Sequence, residues 1–431
     1  MRLRVSPADR PLAGTVQPPG DKSISHRALL FGGLAEGRTR IRGLLVSGDT
    51  TATRQAMEQL GARFEDRAGE VTVTGIGAEG LRAPEGVLDM GNSGTAMRLL
   101  AGVLAGQPFN SVLSGDVSLN SRPMGRIIRP LELMGATIQA EDGGRAPLRL
   151  SGRAPLQAID YESPVASAQV KSCVLLAGLY ADGVTRVTEP RLSRDHTERM
   201  LPQFGVTLGE GPSIRGGQHL SGTDITVPAD PSSAAFLVAA ALLVPGSEIT
   251  VTNVGLNPTR DGLYRVLERM GARIDLQNRR EAGGEPVADL RVRHSPDLVG
   301  VDVPPEWIPS MIDEVPVLLA VAARATGTTR IREAEELRVK ESDRLAVMAR
   351  GLTAAGIEVR ETDDGIDVQG GPSHHVVVES SHDHRCAMSF AVLALCTERG
   401  MTIEGAEYID TSYPNFRRDL SALGARLEAE G

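Results

Sequence analysis

The chain has 431 residues and a formal net charge of −9, with 41% hydrophobic and 23% charged residues. That is the balance of a soluble globular protein, long enough for about two to three domains. The acidic balance argues against a protein whose main work is gripping nucleic acid, yet leaves room for a local cationic site for a small anion. Aromatics make up only 3%, so the core must be built from Leu, Val, Ile, Ala and Met. Cys173, Cys386 and Cys396 lie in apolar runs without zinc-site spacing and read as reduced core residues. The opening MRLRVSPADR lacks the apolar core of a signal peptide, and runs such as Ala234 to Val244 are too short to span a bilayer. A cytoplasmic protein with no membrane partner is the expectation.

In chain order, Met1 to Val16 reads as an opening strand that could pair with either half. Pro18-Pro19-Gly20 is a turn, Asp21 an N-cap, and Ile24 to Leu34 an apolar helix. Lys22, Ser23 and Arg27 fall in its first turns. Backbone N–H groups are unpaired there and the macrodipole is positive, so two cations and a hydroxyl suit a phosphate or carboxylate. A capped surface helix accounts for the same residues less specifically.

Two phrases then alternate along the chain. The first is a helix end, a glycine and a strand, at Gly61, Gly135, Gly205, Gly271, Gly356 and Gly424. Each glycine is placed to be the left-handed residue that ends a helix. Successive copies stand roughly 70 residues apart, which suits a supersecondary unit better than a solenoid repeat. The second phrase is a polar start, a small-residue apolar helix, a glycine turn and a β-branched strand. Its copies begin near Asp21, Asn92, Ser167, Asp230, Ser310 and Asp383. The simplest grouping is three units in each half, with Gly222 to Pro228 as a hinge.

If the units are equivalent, their buried helices begin at equivalent places. Lys22, Ser23 and Arg27 then belong with Asn92-Ser93-Gly94-Thr95 and with Ser167-Ala168-Gln169-Val170-Lys171. The second half contributes Asp230-Pro231-Ser232-Ser233, Asp313, Glu314 and Asp383-His384-Arg385. Helix capping explains the Ser, Asn and Asp residues, but not Lys22, Arg27, Gln169 or Arg385. Two further stretches stand out. Asn120 to Arg126 reads as a loop with Arg122 held before Pro123. Glu335 to Leu345 is dense in both signs of charge, and on a helix Lys340 and Arg344 would share a face beside Glu341. A solvated, salt-bridged face explains that stretch as well.

Seven stretches together resemble the motifs of the EPSP synthase family, in order from Val16 to Phe416. They are Gly20 to Arg27, Gly91 to Thr95, Arg122 to Gly125, Ser167 to Ser172, Pro309 to Glu314, Arg338 to Arg344 and Asp383 to Arg385. The resemblance implies an α/β (α+β) fold, a two-domain inside-out α/β barrel (inverse αβ-prism) with three βαβαββ-type units per domain. The lower domain would take 19–227 and the upper one 1–18 plus 228–431, with hinges near 17–20 and 222–230. Met1 to Pro18 would pack with the second half, and the two halves would close on ligand.

The resemblance also implies a reaction. The 5-hydroxyl of shikimate 3-phosphate attacks C2 of phosphoenolpyruvate while C3 is protonated, and the adduct then loses phosphate and a C3 proton. No cofactor, metal or nucleic acid is implied, and a monomer is expected. Lys22, Asp313 and Glu341 would be catalytic, with Asp313 as base for the hydroxyl and Glu341 as proton donor to C3. Shikimate 3-phosphate would be held by Lys22, Ser23, Arg27, Ser167, Ala168, Gln169, Arg194, Asp313 and Lys340. Phosphoenolpyruvate would meet Lys22, Gly94, Arg122, Gln169, Arg344 and Arg385. Ala168 and Ser193 to Glu198 are similar to the glyphosate-tolerant class, whereas Gly94 is not, and inhibition by glyphosate is expected.

One position departs from many members of the family. Thr411-Ser412-Tyr413-Pro414 stands where they carry a lysine before the aromatic-proline pair. A related transferase acting on UDP-N-acetylglucosamine shares the fold but usually has a cysteine on the loop near Arg122, and Leu113 to Arg122 has none. A non-catalytic phosphate- or RNA-binding protein fits poorly with the acidic balance and with Asp313 and Glu341.

Overall fold

The computed structural model describes residues 1–430. The chain divides into two compact units. Unit I holds Gly20–Val227 with Ala282–Gly284, and unit II holds Met1–Pro19, Pro228–Glu281 and the chain from Glu285 onward.

Unit I is organised by three buried helices, Lys22–Leu34, Gly94–Ala105 and Ala168–Gly178. Asp21, Ser93 and Ser167 cap them, each side-chain oxygen accepting a backbone N–H of the first turn. The strand that follows each helix joins its own sheet. Ala35–Arg42 pairs parallel with Leu220–Ser221 and antiparallel with Glu70–Ile76, which pairs with Arg63–Arg67. Asn110–Ser114 repeats this order between Leu88–Asp89 and Arg145–Ser151, with Thr137–Glu141 beyond. Val184–Thr188 lies between Asp160–Glu162, parallel, and Ser213–Arg215, antiparallel.

Unit II has the buried helices Pro231–Leu243, Val315–Ala322 and His384–Ala394. Glu248–Gly255 lies between Ala13–Val16, parallel, and Glu285–Arg293, antiparallel. Met401–Glu404 lies between Val377–Glu379, parallel, and Arg2–Val5, antiparallel, with Leu427–Glu430 beyond. Thr328–Ile331 pairs with Gly365–Gln369, which pairs with Glu358–Thr362. The opening segment is therefore two strands in two sheets of unit II, not one strand. Pro7 and Pro11 lie between them, where missing N–H groups interrupt a ladder.

Each unit has its own aliphatic core. The few aromatics meet edge to face, Phe31 with Phe204 at 5.7 Å and Phe236 with Phe416 at 6.1 Å. In unit I the Gly94–Ala105 and Ala168–Gly178 helices touch at their backbones. A Cβ on Gly102 would come within 3.0 Å of the Cys173 carbonyl carbon. That close approach fixes how the N-termini of the two helices stand beside each other. All six phrase-ending glycines have positive φ, from 83° at Gly205 to 118° at Gly424.

Three local expectations need correction. The fifth buried helix starts after Glu314 rather than at Ser310, which lies in the separate short turn Ile308–Met311. Glu335 to Leu345 is not one helix. A 3-10 turn, Glu335–Val339, ends at Lys340 with ψ −147°, and a new helix starts at Arg344 because Asp343 caps the N–H of Ala346. Lys340 and Arg344 thus lie on different elements and share no helix face. Asn120 and Ser121 belong to the short helix Val117–Ser121, and Arg122 is its extended C-cap before Pro123. The segment Gly222 to Pro228 includes Asp224–Thr226, a strand paired with Ala35–Arg42, and the division between the two units falls at its end. Among the described residues, no helix is long and apolar enough to cross a membrane.

Candidate active site

In unit I the polar residues gather at the N-termini of the three buried helices. Lys22 begins the first, and its Nζ lies 2.5 Å from Asp49 Oδ2. One turn on, buried Arg27 donates from Nε to Thr197 Oγ1 (2.7 Å), from Nη2 to Ser172 Oγ (2.7 Å) and from Nη1 to the Ser23 carbonyl (2.9 Å). Thr197 Oγ1 in turn donates to Ser172 Oγ. Between them sits buried His26, with Nδ1 2.7 Å from Thr53 Oγ1 and Nε2 3.4 Å from Ser93 Oγ. Burial pushes its pKa down to about 3, against the pull of Asp49 and with the help of Lys22 and Arg27. His26 is a neutral spacer that ties the Lys22 helix to the cap of the Gly94 helix.

At the second helix, Arg122 Nη2 donates to Asn92 Oδ1 at 2.6 Å, and Asn92 Nδ2 donates to Asp116 at 2.8 Å. Arg98, four residues beyond Gly94, donates to Gln169 Oε1 at 2.6 Å, while Gln169 Nε2 donates to Thr95 Oγ1 at 2.9 Å. The structure therefore brings together Gly94, Arg122 and Gln169, and adds Arg98. A Cβ on Gly94 would lie 2.7 Å from Arg98 Nη1 and 3.5 Å from Arg122 Nη1. At the third helix, the Ser167 N–H donates to Glu189 Oε1 at 2.9 Å. Glu189 and Glu198 share fully buried Lys171, whose Nζ lies 3.0 and 2.9 Å from them. Arg194 lies in the segment between those two glutamates, just before the His196–Met200 helix.

In unit II, carboxylates gather round one guanidinium. Arg344 is 1% exposed and faces three of them. Nε donates to Asp383 Oδ2 at 2.8 Å, Nη1 to Asp313 Oδ1 at 3.1 Å and Nη2 to Glu341 Oε2 at 2.6 Å. Burial alone would lower its pKa, but Asp383, Glu341 and Asp313 outweigh that and hold it well above the usual arginine value. Asp383 is wholly buried and also caps the His384–Ala394 helix by accepting the N–H of Arg385 at 2.9 Å. Arg385 Nη1 donates to the Asp313 carbonyl at 3.3 Å. Burial pushes Lys340 below the usual lysine value, although Asp313 and Glu336 pull it up. Its Nζ lies 3.9 Å from Glu336 Oε1.

The comparisons decide the family. The profile of EPSP synthase (3-phosphoshikimate 1-carboxyvinyltransferase) matches residues 7–420. This chain belongs to the EPSP synthase family.

Among curated EPSP synthase relatives, the 3-phosphoshikimate 1-carboxyvinyltransferase of Acidithiobacillus ferrooxidans is 54% identical over 99% of both chains. That of Halorhodospira halophila is 52% identical over 99% of this chain and 97% of its own. Two solved structures of EPSP synthase from Acinetobacter baumannii superpose with TM-scores of 0.89 and 0.90, at 46% and 45% identity. They cover 99% and 100% of this chain, and all of their own.

Sequence reasoning missed Arg98, Asp49 and Glu189. Arg98 stands at i+4 from Gly94, the same interval that separates Ser23 from Arg27, and that spacing was a usable signal. Asp49 and Glu189 gave none, because only tertiary packing brings them to Lys22 and Ser167. Thr411 ends the 3-10 turn Ala406–Thr411, and its hydroxyl donates to the Tyr408 carbonyl at 2.7 Å.

Proposed function

We infer that the chain transfers the enolpyruvyl group of phosphoenolpyruvate to the 5-hydroxyl of shikimate 3-phosphate, releasing phosphate. This is a step of the shikimate pathway toward chorismate and the aromatic amino acids. The observation that carries the mechanism is the placing of Asp313 and Glu341 on one buried guanidinium, Arg344. Addition needs a base for the hydroxyl and an acid for C3, and a carboxylate of each kind serves.

Asp313 takes the hydroxyl proton as the oxygen attacks C2, and Glu341 gives a proton to C3. In the second step C3 returns a proton to a carboxylate and the C2–O bond to phosphate breaks. Without ligand, Arg344 favours ionised Glu341. A substrate carboxylate arriving on Arg344 competes for that guanidinium and frees Glu341 to carry the proton. Arg385 would hold the same carboxylate.

The cationic helix ends of unit I would take the anions. Ser23 and Arg27 suit the shikimate carboxylate. Ser167, the Ala168 N–H, Arg194 and Lys340 suit its phosphate, with Lys22 and Gln169 between the two substrates. Arg122 would face the phosphate of phosphoenolpyruvate, with Gly94 giving close backbone approach. Glyphosate would compete there. No cofactor enters these steps. We also propose the finer architecture, an inside-out α/β barrel of three units in 19–227 and another in 1–18 plus 228–431, with monomers working in the cytoplasm. The recurring strand order and the six left-handed glycines support it. Mixing shikimate 3-phosphate and phosphoenolpyruvate with the enzyme should release inorganic phosphate in proportion to enzyme. Release with either substrate alone at the same rate, or none with both, would overturn the reading.

A further inference from the structure

Asp230, Ser232 and Glu314 have no part in the chemistry described so far, yet these three residues form one buried polar group with Arg260. Glu314 is 3% exposed. Its Oε1 accepts a short hydrogen bond from Ser232 Oγ, and Arg260 Nη2 lies 3.4 Å away. Arg260 Nη2 also donates to Ser232 Oγ at 2.7 Å and lies 3.5 Å from Asp230 Oδ1. Asp230 caps the Pro231–Leu243 helix, so the group is anchored to a rigid element. On its other side, Glu314 Oε1 is 4.0 Å from Arg385 Nη1. That same Nη1 donates to the carbonyl of Asp313, which is bonded directly to the Glu314 nitrogen.

We propose that Glu314 is a positioning residue, held by Ser232 and Arg260, that aims the Arg385 guanidinium at the phosphoenolpyruvate carboxylate. The proposal rests on the reading of Arg385 given above. A buried carboxylate costs free energy unless cations and donors meet it, and Glu314 has both. Arg385 has a competing partner, since its Nε lies 3.9 Å from Asp313 Oδ1. With its charge in place, Glu314 draws Nη1 back and leaves the Asp313 carboxylate to the hydroxyl. With the charge removed, the guanidinium turns toward Asp313 and is no longer aimed at the incoming carboxylate. At about 4 Å in a partly buried site, one charge is enough to govern such a choice.

Glu314→Gln keeps an acceptor for Ser232 and removes only the charge. The Michaelis constant for phosphoenolpyruvate should rise about tenfold, while that for shikimate 3-phosphate and the melting temperature stay close to the wild type. In an Arg385→Lys background the further effect of Glu314→Gln should fall to about twofold or less, because the group it acts on has changed. Ser232→Ala, which loosens Glu314 but keeps its charge, should give a smaller effect in the same direction and serves if Glu314→Gln folds poorly. Equal changes for both substrates, or full additivity with Arg385→Lys, would make Glu314 a structural residue only and overturn the proposal. Absence of phosphate release by the wild type would instead remove the reading of Arg385 itself, so the two failures are distinguishable.

Discussion

Three arginines of unit I and one of unit II are held in different ways. In unit I, Arg27, Arg98 and Arg122 donate to the neutral oxygens of Thr197, Ser172, Gln169 and Asn92. In unit II, Arg344 lies against the carboxylates of Asp313, Glu341 and Asp383. Hydroxyls and amides orient a guanidinium, whereas carboxylates also offset its charge. Arg344, set among three carboxylates, spends its field on them. On the function proposed above, unit I supplies cations for the substrate anions, and unit II supplies the proton-moving carboxylates beside Lys340, Arg344 and Arg385, which also meet substrate anions.

The largest expected effect comes from breaking the carboxylate side. Asp313→Asn and Glu341→Gln should each cut turnover at least about a hundredfold, as loss of a general acid or base does. Steady-state phosphate release measures it, and near-normal turnover would remove both roles.

Next is a change on the cation side. Gly94→Ala puts a methyl against the movable end of Arg98, so the fold should survive. We expect the inhibition constant for glyphosate to rise about tenfold and the Michaelis constant for phosphoenolpyruvate to rise less, since one added methyl is worth that much against a longer ligand. An unchanged inhibition constant would place discrimination elsewhere.

Lys340 sharpens the comparison through pH. Its pKa lies below the usual lysine value, so it loses its charge earlier as pH rises. Affinity for shikimate 3-phosphate should weaken in the alkaline range below the ordinary lysine pKa, and Lys340→Arg should move that limb upward. A limb unmoved by the substitution would mean another group titrates.

The smallest effect is on stability. Folded His26 stays neutral down to about pH 3, whereas an unfolded histidine takes a proton below about 6.5. The unfolded state then binds more protons, so stability falls as pH drops from about 6.5 toward 3. His26→Gln should flatten that fall by a few degrees of melting temperature. An identical slope in the variant would assign the acid sensitivity to other groups.

Much of this was legible in the sequence because local rules governed it. Asp21, Ser167, Asp230 and Asp383 cap helices as read, and the glycines at the helix ends take positive φ. The strand Val184–Thr188 begins and ends where its β-branched pattern does. One misreading came where a cap competed with a charge pattern. The i, i+4 spacing of Lys340 and Arg344 suggested one helix, but Asp343 restarts the chain between them. The pairings of Lys22 with Asp49, Ser167 with Glu189 and Glu314 with Ser232 were illegible. Each joins residues far apart in sequence, and no spacing rule connects them.

The central claim is that the carboxylates of unit II move the protons, and exchange of hydrogen at C3 tests it most directly. Incubating the enzyme with shikimate 3-phosphate and phosphoenolpyruvate in deuterium oxide should place deuterium in the methylene group of recovered phosphoenolpyruvate. Glu341→Gln should slow that exchange at least about a hundredfold while binding shikimate 3-phosphate within about twofold of the wild type. Exchange at the wild-type rate in Glu341→Gln would contradict the account.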